Sequence, residues 1–93
     1  MVAIIWSELA IEDLRSIYEF ISTDSVFYAS RQVDRIIERT DQLIEFPKSG
    51  RVVPEFNIEN LRELIEGNYR IVYSINPDKI EIVRVHHAAK QIK

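Results

Sequence analysis

The sequence predicts an α+β fold in which an antiparallel pair of helices packs on one face of a small, mainly antiparallel sheet. Two observations lead to this prediction. Apolar residues recur at helical spacing through the first half of the chain, and short runs rich in β-branched residues fill the second half. The predicted element order is βααβββ. Because 93 residues suffice for one compact unit, we expect a single domain over residues 1–93.

The chain opens with the apolar run "VAIIW" (residues 2–6), which is short and β-branched and so predicts a buried strand. Ser7 is a candidate N-cap, and Glu8 would complement the helix dipole in the first turn. The first helix is expected to face the core with Ala10, Ile11, Leu14, Ile17, Tyr18 and Ile21. Leu9 and Phe20 lie off that stripe, so they either cover loops or form a surface that a partner covers.

A second helix is predicted to begin after Asp24 or Ser25 and to end near Phe46, where Pro47 stops it. Its core stripe is expected to comprise Ala29, Val33, Ile36, Ile37, Thr40, Leu43 and Ile44. Its outer face is charged and is predicted to form ion pairs between residues three or four apart. The members of that face are Arg31, Asp34, Arg35, Glu38, Gln42 and Glu45.

An irregular loop over residues 47–60, which holds two of the three prolines, connects the helices to the sheet. The runs "LRELIE" and "YRIVYSI" flank Gly67-Asn68 and predict a hairpin with a type II′ turn. A further turn near Pro77 leads into the last strand, "IEIVRV". These three strands are expected to form an antiparallel meander.

The turn positions predict which strand residues share a face. Counting from the turns pairs Ile65 with Arg70 and Arg70 with Val85. Arg70 and His87 would then lie on the open face, away from the helices, near one end of the sheet. An exposed guanidinium beside an imidazole predicts an anion or phosphate site. The alternative is an ion pair between Arg70 and a strand carboxylate, either Glu63 or Glu81. A one-residue slip in register would exchange the faces on which His86 and His87 lie.

The composition excludes several classes of function. Twelve Lys and Arg against fifteen Asp and Glu give a net charge of −3, so the whole chain should not attract nucleic acid. There is no cysteine, no phosphate-binding glycine motif and no metalloprotease motif. Adjacent histidines in a strand point to opposite faces, which disfavours a metal site. We expect no cofactor and no metal, and a cytoplasmic protein without a membrane span.

Four segments carry a family resemblance: the spacing of apolar residues from Trp6 to Ile21, "FPKSGRVVPE" (46–55), "LRELIEGNYRIVYSI" (61–75) and "IEIVRVHHAAKQI" (80–92). In this order they resemble the RelE/ParE superfamily of toxins from type II toxin–antitoxin modules, over almost the whole chain. The resemblance implies a βααβββ fold, growth inhibition, and neutralisation by a cognate antitoxin protein. It also implies a possible toxin–antitoxin hetero-oligomer.

Two mechanisms divide this superfamily. RelE-like members cut mRNA on the ribosome, whereas ParE-like members poison DNA gyrase by binding it. Arg70 matches the arginine near the scissile phosphate of the nucleases, but Leu61 and Glu63 stand where RelE has lysines. The sequence therefore looks closer to the ParE-like plasmid-stabilisation branch. A ribosome-dependent endoribonuclease and a decayed homologue that only binds antitoxin are the alternatives.

If RNA cleavage occurs, the resemblance implies a role for each of four residues. Arg70 would stabilise the developing phosphorane charge, His86 or His87 would act as the acid, and Glu55 would be the base. The candidates for target or anion binding are Arg51, Arg62, Arg70 and Lys90. The candidates for antitoxin binding, chosen because they lie off the core stripes, are Leu9, Phe20 and Phe27.

Overall fold

The computed structural model describes residues 2–89, in which two helices pack on one five-stranded sheet. Lys90 lies outside the described residues. The elements are β1 (Ala3–Trp6), α1 (Glu8–Ser22), α2 (Val26–Arg39), β2 (Arg51–Val52), β3 (Leu61–Glu66), β4 (Tyr69–Ile75) and β5 (Lys79–His87). The strand order is β1-β5-β4-β3-β2, with β1 parallel to β5 and every other pairing antiparallel. The predicted α+β class is confirmed.

Both predicted helix caps are confirmed. The Ser7 hydroxyl accepts a hydrogen bond from the backbone N–H of Ala10 at 3.0 Å, and the Ser25 hydroxyl accepts one from Tyr28 at 3.2 Å. The predicted length of α2 is wrong, because the α-helix ends at Arg39 and a 3₁₀ helix continues over Thr40–Ile44. No helix in residues 2–89 has the length and apolar character needed to cross a bilayer.

The core lies between the helices and the tyrosine- and isoleucine-rich side of the sheet, as predicted. Its buried members are Ala10, Ile36, Leu43, Leu64, Tyr69, Ile71, Tyr73, Ile80, Ile82 and Val85. The apolar stripes of the helices are narrower than predicted, since Ile11, Ile37 and Ile44 are more than 40% exposed. Hydrophobic residues at the margin of a helical stripe remain in water when the facing sheet is small.

The register of the first hairpin is confirmed, with Ile65 opposite Arg70. Gly67 adopts a φ of +58°, a conformation that the first central position of a type II′ turn requires and that glycine tolerates. The register predicted for the second hairpin is wrong. Val72 pairs with Arg84 and the next residue, Tyr73, pairs with Ile82, so β5 carries one extra residue at this point. This is a β-bulge.

The bulge exchanges the residues on the two faces of β5 beyond it. His86, and not Val85, stands opposite Arg70, so Arg84 and His86 share the open face with Arg70. Val85 belongs to the buried core, contrary to prediction. His87 pairs with Tyr69 on the helix-facing side, which also corrects its predicted face.

A short strand and a tyrosine hold the long loop against the sheet. Strand β2, which the sequence did not predict, pairs Arg51 with Glu63 on β3. The buried Tyr73 hydroxyl accepts a hydrogen bond from the backbone N–H of Gly50 at 2.9 Å and donates one to the Pro47 carbonyl at 2.7 Å. A Cβ at Gly50 would lie 2.5 Å from the Glu63 carbonyl oxygen, so this close approach requires glycine.

Candidate functional site

The open face of the sheet carries a chain of ion pairs centred on Arg70. Arg70 Nε donates to Glu63 Oε1 at 2.7 Å, and its two terminal nitrogens donate to the two carboxylate oxygens of Glu55 at 2.7 and 2.8 Å. The Arg70 side chain is only 6% exposed. The prediction that Arg70 presents its guanidinium to solvent is therefore wrong, and the alternative pairing with Glu63 is confirmed.

Three strands and a loop converge to build this network. Glu63 lies on β3 between β2 and β4, its side chain is 0% exposed, and its second oxygen accepts from Arg51 Nε at 2.5 Å. Glu55 follows β2 in the loop that crosses over Arg70. A buried carboxylate with two guanidinium partners satisfies the condition under which a charge is tolerated in a protein interior.

The charges of the network balance, with two guanidiniums against two carboxylates. The hydrogen bonds to Glu55 raise the pKa of Arg70; burial opposes this, and the bond to Glu63 adds to it. Arg70 is thus fixed as a cation, and its carboxylate partners offset that charge locally. An anion approaching Arg70 would meet Glu55 and Glu63 at the same place.

Arg62 is hydrogen-bonded to the loop that precedes β3. Its guanidinium donates to the backbone carbonyls of Lys48, Gly50 and Glu59, and to the Glu59 carboxylate at 2.9 Å. Its side chain is 13% exposed, whereas that of Arg51 is 60% exposed. Of the anion-binding candidates in residues 2–89, Arg51 alone keeps most of its side chain in water. Arg62 secures the loop against the start of β3.

The two histidines occupy distinct environments. His86 is half-buried and stands opposite Arg70. His87 is exposed, packs edge-to-face on Tyr69 with ring centroids 5.6 Å apart, and accepts a hydrogen bond at Nδ1 from Ala89 N–H. Both line a cleft of about 320 Å³ between α1 and the end of β5. The structure thus brings Glu55, Arg70 and His86 to one region and separates His87 from it.

An ion pair between α1 and β5 borders this cleft. Asp13 accepts from Arg84 Nε at 2.8 Å, from Arg84 Nη2 at 3.0 Å and from the Val85 backbone N–H at 2.9 Å. Burial raises the pKa of Asp13, but these hydrogen bonds outweigh burial and hold the pKa below its usual range. The sequence did not predict this pair, which joins residues 71 positions apart in the chain.

The antitoxin-binding candidates are exposed, as the sequence predicted. Leu9 is 59%, Phe20 76% and Phe27 64% exposed. They do not form one patch, since Leu9 and Phe20 are eleven residues apart on α1, about 16 Å along the axis. Phe27 packs edge-to-face on Tyr28 at 5.5 Å. Among residues 2–89, no group of three or more histidines and carboxylates is arranged to hold a metal ion.

A family match over nearly the whole chain shows where this protein belongs. Residues 4–92 match the family described as the ParE toxin of the type II toxin–antitoxin system, parDE. The chain belongs to this family. It is also 33% identical over 91 residues to toxin RelE2 of Caulobacter vibrioides, a match that covers 97% of this chain and 99% of that protein. The resemblance to the RelE/ParE superfamily is confirmed.

Solved structures from the same superfamily have this fold. The chain aligns with the chromosomal ParDE toxin–antitoxin system from P. aeruginosa with a TM-score of 0.77 and 21% identity, over 94% of this chain and 96% of that chain. It aligns with the RelBE2 toxin–antitoxin complex from Mycobacterium tuberculosis with a TM-score of 0.59 and 20% identity, over 92% and 96%. A ParDE structure and a RelBE2 structure therefore both share the fold of this type II toxin.

Proposed function

We propose that this type II toxin stops growth by binding and poisoning DNA gyrase. The observation that carries the proposal is the engagement of Arg70 by Glu55 and Glu63, which leaves its side chain 6% exposed. Phosphodiester cleavage needs cations aimed at the charge that develops on the phosphate. Two carboxylates on the same guanidinium compete with that phosphate. A mechanism by binding alone needs no such cation.

Two further observations agree with a ParE-like target. The net charge of −3 disfavours docking on ribosomal RNA, because affinity for nucleic acid comes mainly from cations placed on phosphates. The family matched over residues 4–92 is that of ParE toxins. ParE-like members of the superfamily poison gyrase, and the proposal extends that activity to this chain.

The test is a supercoiling assay with purified gyrase and relaxed plasmid. We expect micromolar toxin to inhibit supercoiling and to accumulate cleaved plasmid in the presence of ATP. The surface variant Arg15→Ala, which removes an exposed pair with Glu12, should inhibit as the wild type does. Unchanged supercoiling at a large molar excess of toxin contradicts the proposal.

Ribosome-dependent RNA cleavage is the second candidate, and the meeting of Glu55, Arg70 and His86 on one side of the sheet favours it. Glu55 would take the proton of a 2′-hydroxyl, whose oxygen attacks the adjacent phosphorus. Arg70 would stabilise the phosphorane charge. His86 would protonate the departing 5′-oxygen as its bond to phosphorus breaks. Lys90 is the additional cation that the sequence offers.

Primer extension on translated mRNA tests this second candidate. We would then expect cuts within codons that occupy the ribosomal A site. Loss of these cuts in Glu55→Gln, and their retention in the exposed variant Glu59→Gln, would establish RNA cleavage and exclude gyrase as the target. The same two mechanisms can be separated in cells by inducing the gene alone and measuring the rates of DNA, RNA and protein synthesis. A gyrase poison should stop DNA synthesis, whereas an A-site nuclease should stop protein synthesis. A chain that leaves all three synthesis rates unchanged would be a decayed homologue that retains antitoxin binding.

We propose a cognate antitoxin, encoded beside the toxin gene, as the partner in plasmid or chromosomal stabilisation. Exposed Leu9, Phe20 and Phe27 are the proposed apolar contacts. Phe20→Ser and Phe27→Ser should each weaken the toxin–antitoxin complex, measured by calorimetry. Ile58→Ser, at an exposed apolar site in the loop, is the matched control. Equal affinities for all three variants would argue against the helix hairpin as the docking site.

A further inference from the structure

A second polar pocket lies on the α1–α2 hairpin, outside the ion network of the sheet. It has a volume of about 470 Å³ and is lined by Ile21, Phe27, Tyr28, Arg31, Gln32 and Arg35. This volume is in the range of ligand-binding pockets. We call it the hairpin pocket. Its lining combines two guanidiniums and an amide with aromatic and aliphatic walls, and none of these six residues is acidic.

The arginines of the hairpin pocket differ from the others in the chain. Within residues 2–89, six arginines have a carboxylate oxygen within 4.0 Å, namely Arg15, Arg39, Arg51, Arg62, Arg70 and Arg84. Arg31 and Arg35 belong to none of these described ion pairs, although the sequence predicted that they would pair with Asp34 and Glu38. Both lie on α2, one turn apart, so their side chains share one face of the helix.

Two observations identify hydrogen-bond donors in this pocket. The Arg31 guanidinium carbon lies 5.7 Å from the centroid of the Phe27 ring, a cation–π geometry that leaves the guanidinium edge available for an acceptor. Gln32 Nε2 is buried and has no acceptor among the described residues. An unsatisfied buried amide donor is costly, so an oxygen ligand reaching it would be stabilised. Two cations and this donor together specify an anionic ligand.

We propose that the hairpin pocket binds a carboxylate side chain on an acidic segment of the antitoxin, with a neighbouring apolar side chain against Phe27, Tyr28 and Ile21. This inference rests on the antitoxin partner proposed above. A single carboxylate fits better than nucleic acid because Asp34 and Glu38 line the adjoining cleft beside the same arginines. A run of phosphates would meet those acidic side chains, and the chain as a whole carries a net charge of −3.

The test uses the antitoxin encoded by the reading frame beside the toxin gene, titrated by calorimetry against the full toxin chain. We expect the double variant R31E/R35E to bind at least tenfold more weakly and to lose most of the salt dependence of the dissociation constant. The control R15E reverses an exposed arginine on α1 and should bind within about twofold of wild type, since exposed pairs contribute little. Equal affinities of R31E/R35E and wild type overturn the proposal.

A second variant separates loss of contact from loss of folding. Gln32→Glu replaces the unsatisfied amide with a carboxylate in the lining of the pocket, so it should repel the incoming carboxylate and weaken antitoxin binding. A thermal midpoint close to that of wild type shows that the variant is folded. Unimpaired binding by Gln32→Glu would contradict the proposed carboxylate site. A 20-base-pair DNA duplex is the second probe. If R31E/R35E lost affinity for DNA and kept its affinity for antitoxin, the pocket would be a nucleic-acid site.

The gyrase assay distinguishes this inference from the proposed function. Without antitoxin, R31E/R35E should inhibit supercoiling as strongly as wild type, because the hairpin pocket is assigned to the antitoxin and not to the target. Loss of inhibition by R31E/R35E would assign the pocket to the target and overturn the inference. If wild-type toxin left gyrase unaffected while antitoxin binding still depended on Arg31 and Arg35, the gyrase proposal alone would fail.

Discussion

Glu55 holds Arg70 through both of its carboxylate oxygens, at 2.7 and 2.8 Å, and thereby ties the loop after β2 to the centre of the sheet. Arg70 in turn contacts Glu63, whose side chain is fully buried. Removal of Glu55, Glu63 or Arg70 takes one partner from a charge that lies in a region of low solvent access. The stability of the open face therefore depends on this network.

Replacing Arg70 by Met should lower the free energy of unfolding by about 3–5 kcal/mol, because Glu63 would stay buried with Arg51 as its remaining guanidinium. Denaturant titration measures the change. The matched control is Arg15→Met, at an exposed pair, which should change stability by less than about 0.5 kcal/mol. Equal unfolding midpoints for the two variants would show that the network contributes little.

The pair of Asp13 and Arg84 should make stability depend on pH in the acidic range. The pKa of Asp13 is below its ordinary value of 3.8 in the folded chain. Ionised Asp13 therefore adds stability that is fully present above pH 3.8 and is lost as the pH falls through the lower folded pKa. The difference in unfolding free energy between wild type and Asp13→Asn should be constant near neutral pH and should shrink as the pH falls below 3.8. A difference independent of pH would contradict this.

Tyr73→Phe should destabilise the chain by about 1–3 kcal/mol, since it leaves the Gly50 N–H and the Pro47 carbonyl without their hydroxyl partner. Thermal unfolding provides the measurement. Tyr28→Phe, at a side chain that is 65% exposed, removes the same atom and should be nearly neutral. Similar losses in both variants would mean that the Tyr73 hydroxyl does not anchor the loop.

Ser25→Ala should cost about 1 kcal/mol, because the Ser25 side chain caps the N-terminus of α2 through the Tyr28 N–H. Ser30→Ala, at an exposed position inside the same helix, should be neutral or slightly stabilising, since alanine favours helix interiors. Denaturant midpoints of the two variants test the difference. Equal stability of Ser25→Ala and wild type would exclude a capping contribution.

Local signals in the sequence were sufficient for much of the fold. Ser7 and Ser25 cap their helices, and Gly67 sets the first hairpin register. These features depend on neighbouring residues, so short segments of sequence carry them. The family resemblance used residues spread along the chain and was confirmed over residues 4–92.

The candidate site was less predictable because it depends on long-range contacts. The bulge near Val83 has no glycine or proline to mark it, yet it decides that His86 and not Val85 stands opposite Arg70. The burial of Arg70 depends on Glu55, fifteen residues away in an irregular loop. Strand β2 is two residues long and gives no periodic pattern. Counting alternate strand residues from the predicted turns cannot detect a bulge, a contact with a distant loop or a two-residue strand.

The parallel pairing of β1 with β5 joins segments 76 residues apart, since Ala3 lies opposite Lys79 and Trp6 opposite Ile82. Closing a loop of this length costs conformational entropy before the contact is made. During synthesis this pairing cannot form until β5 has left the ribosome, so the sheet is complete only after residue 87 has emerged. An antitoxin that has already been made can therefore meet each toxin molecule as soon as it acquires its native form.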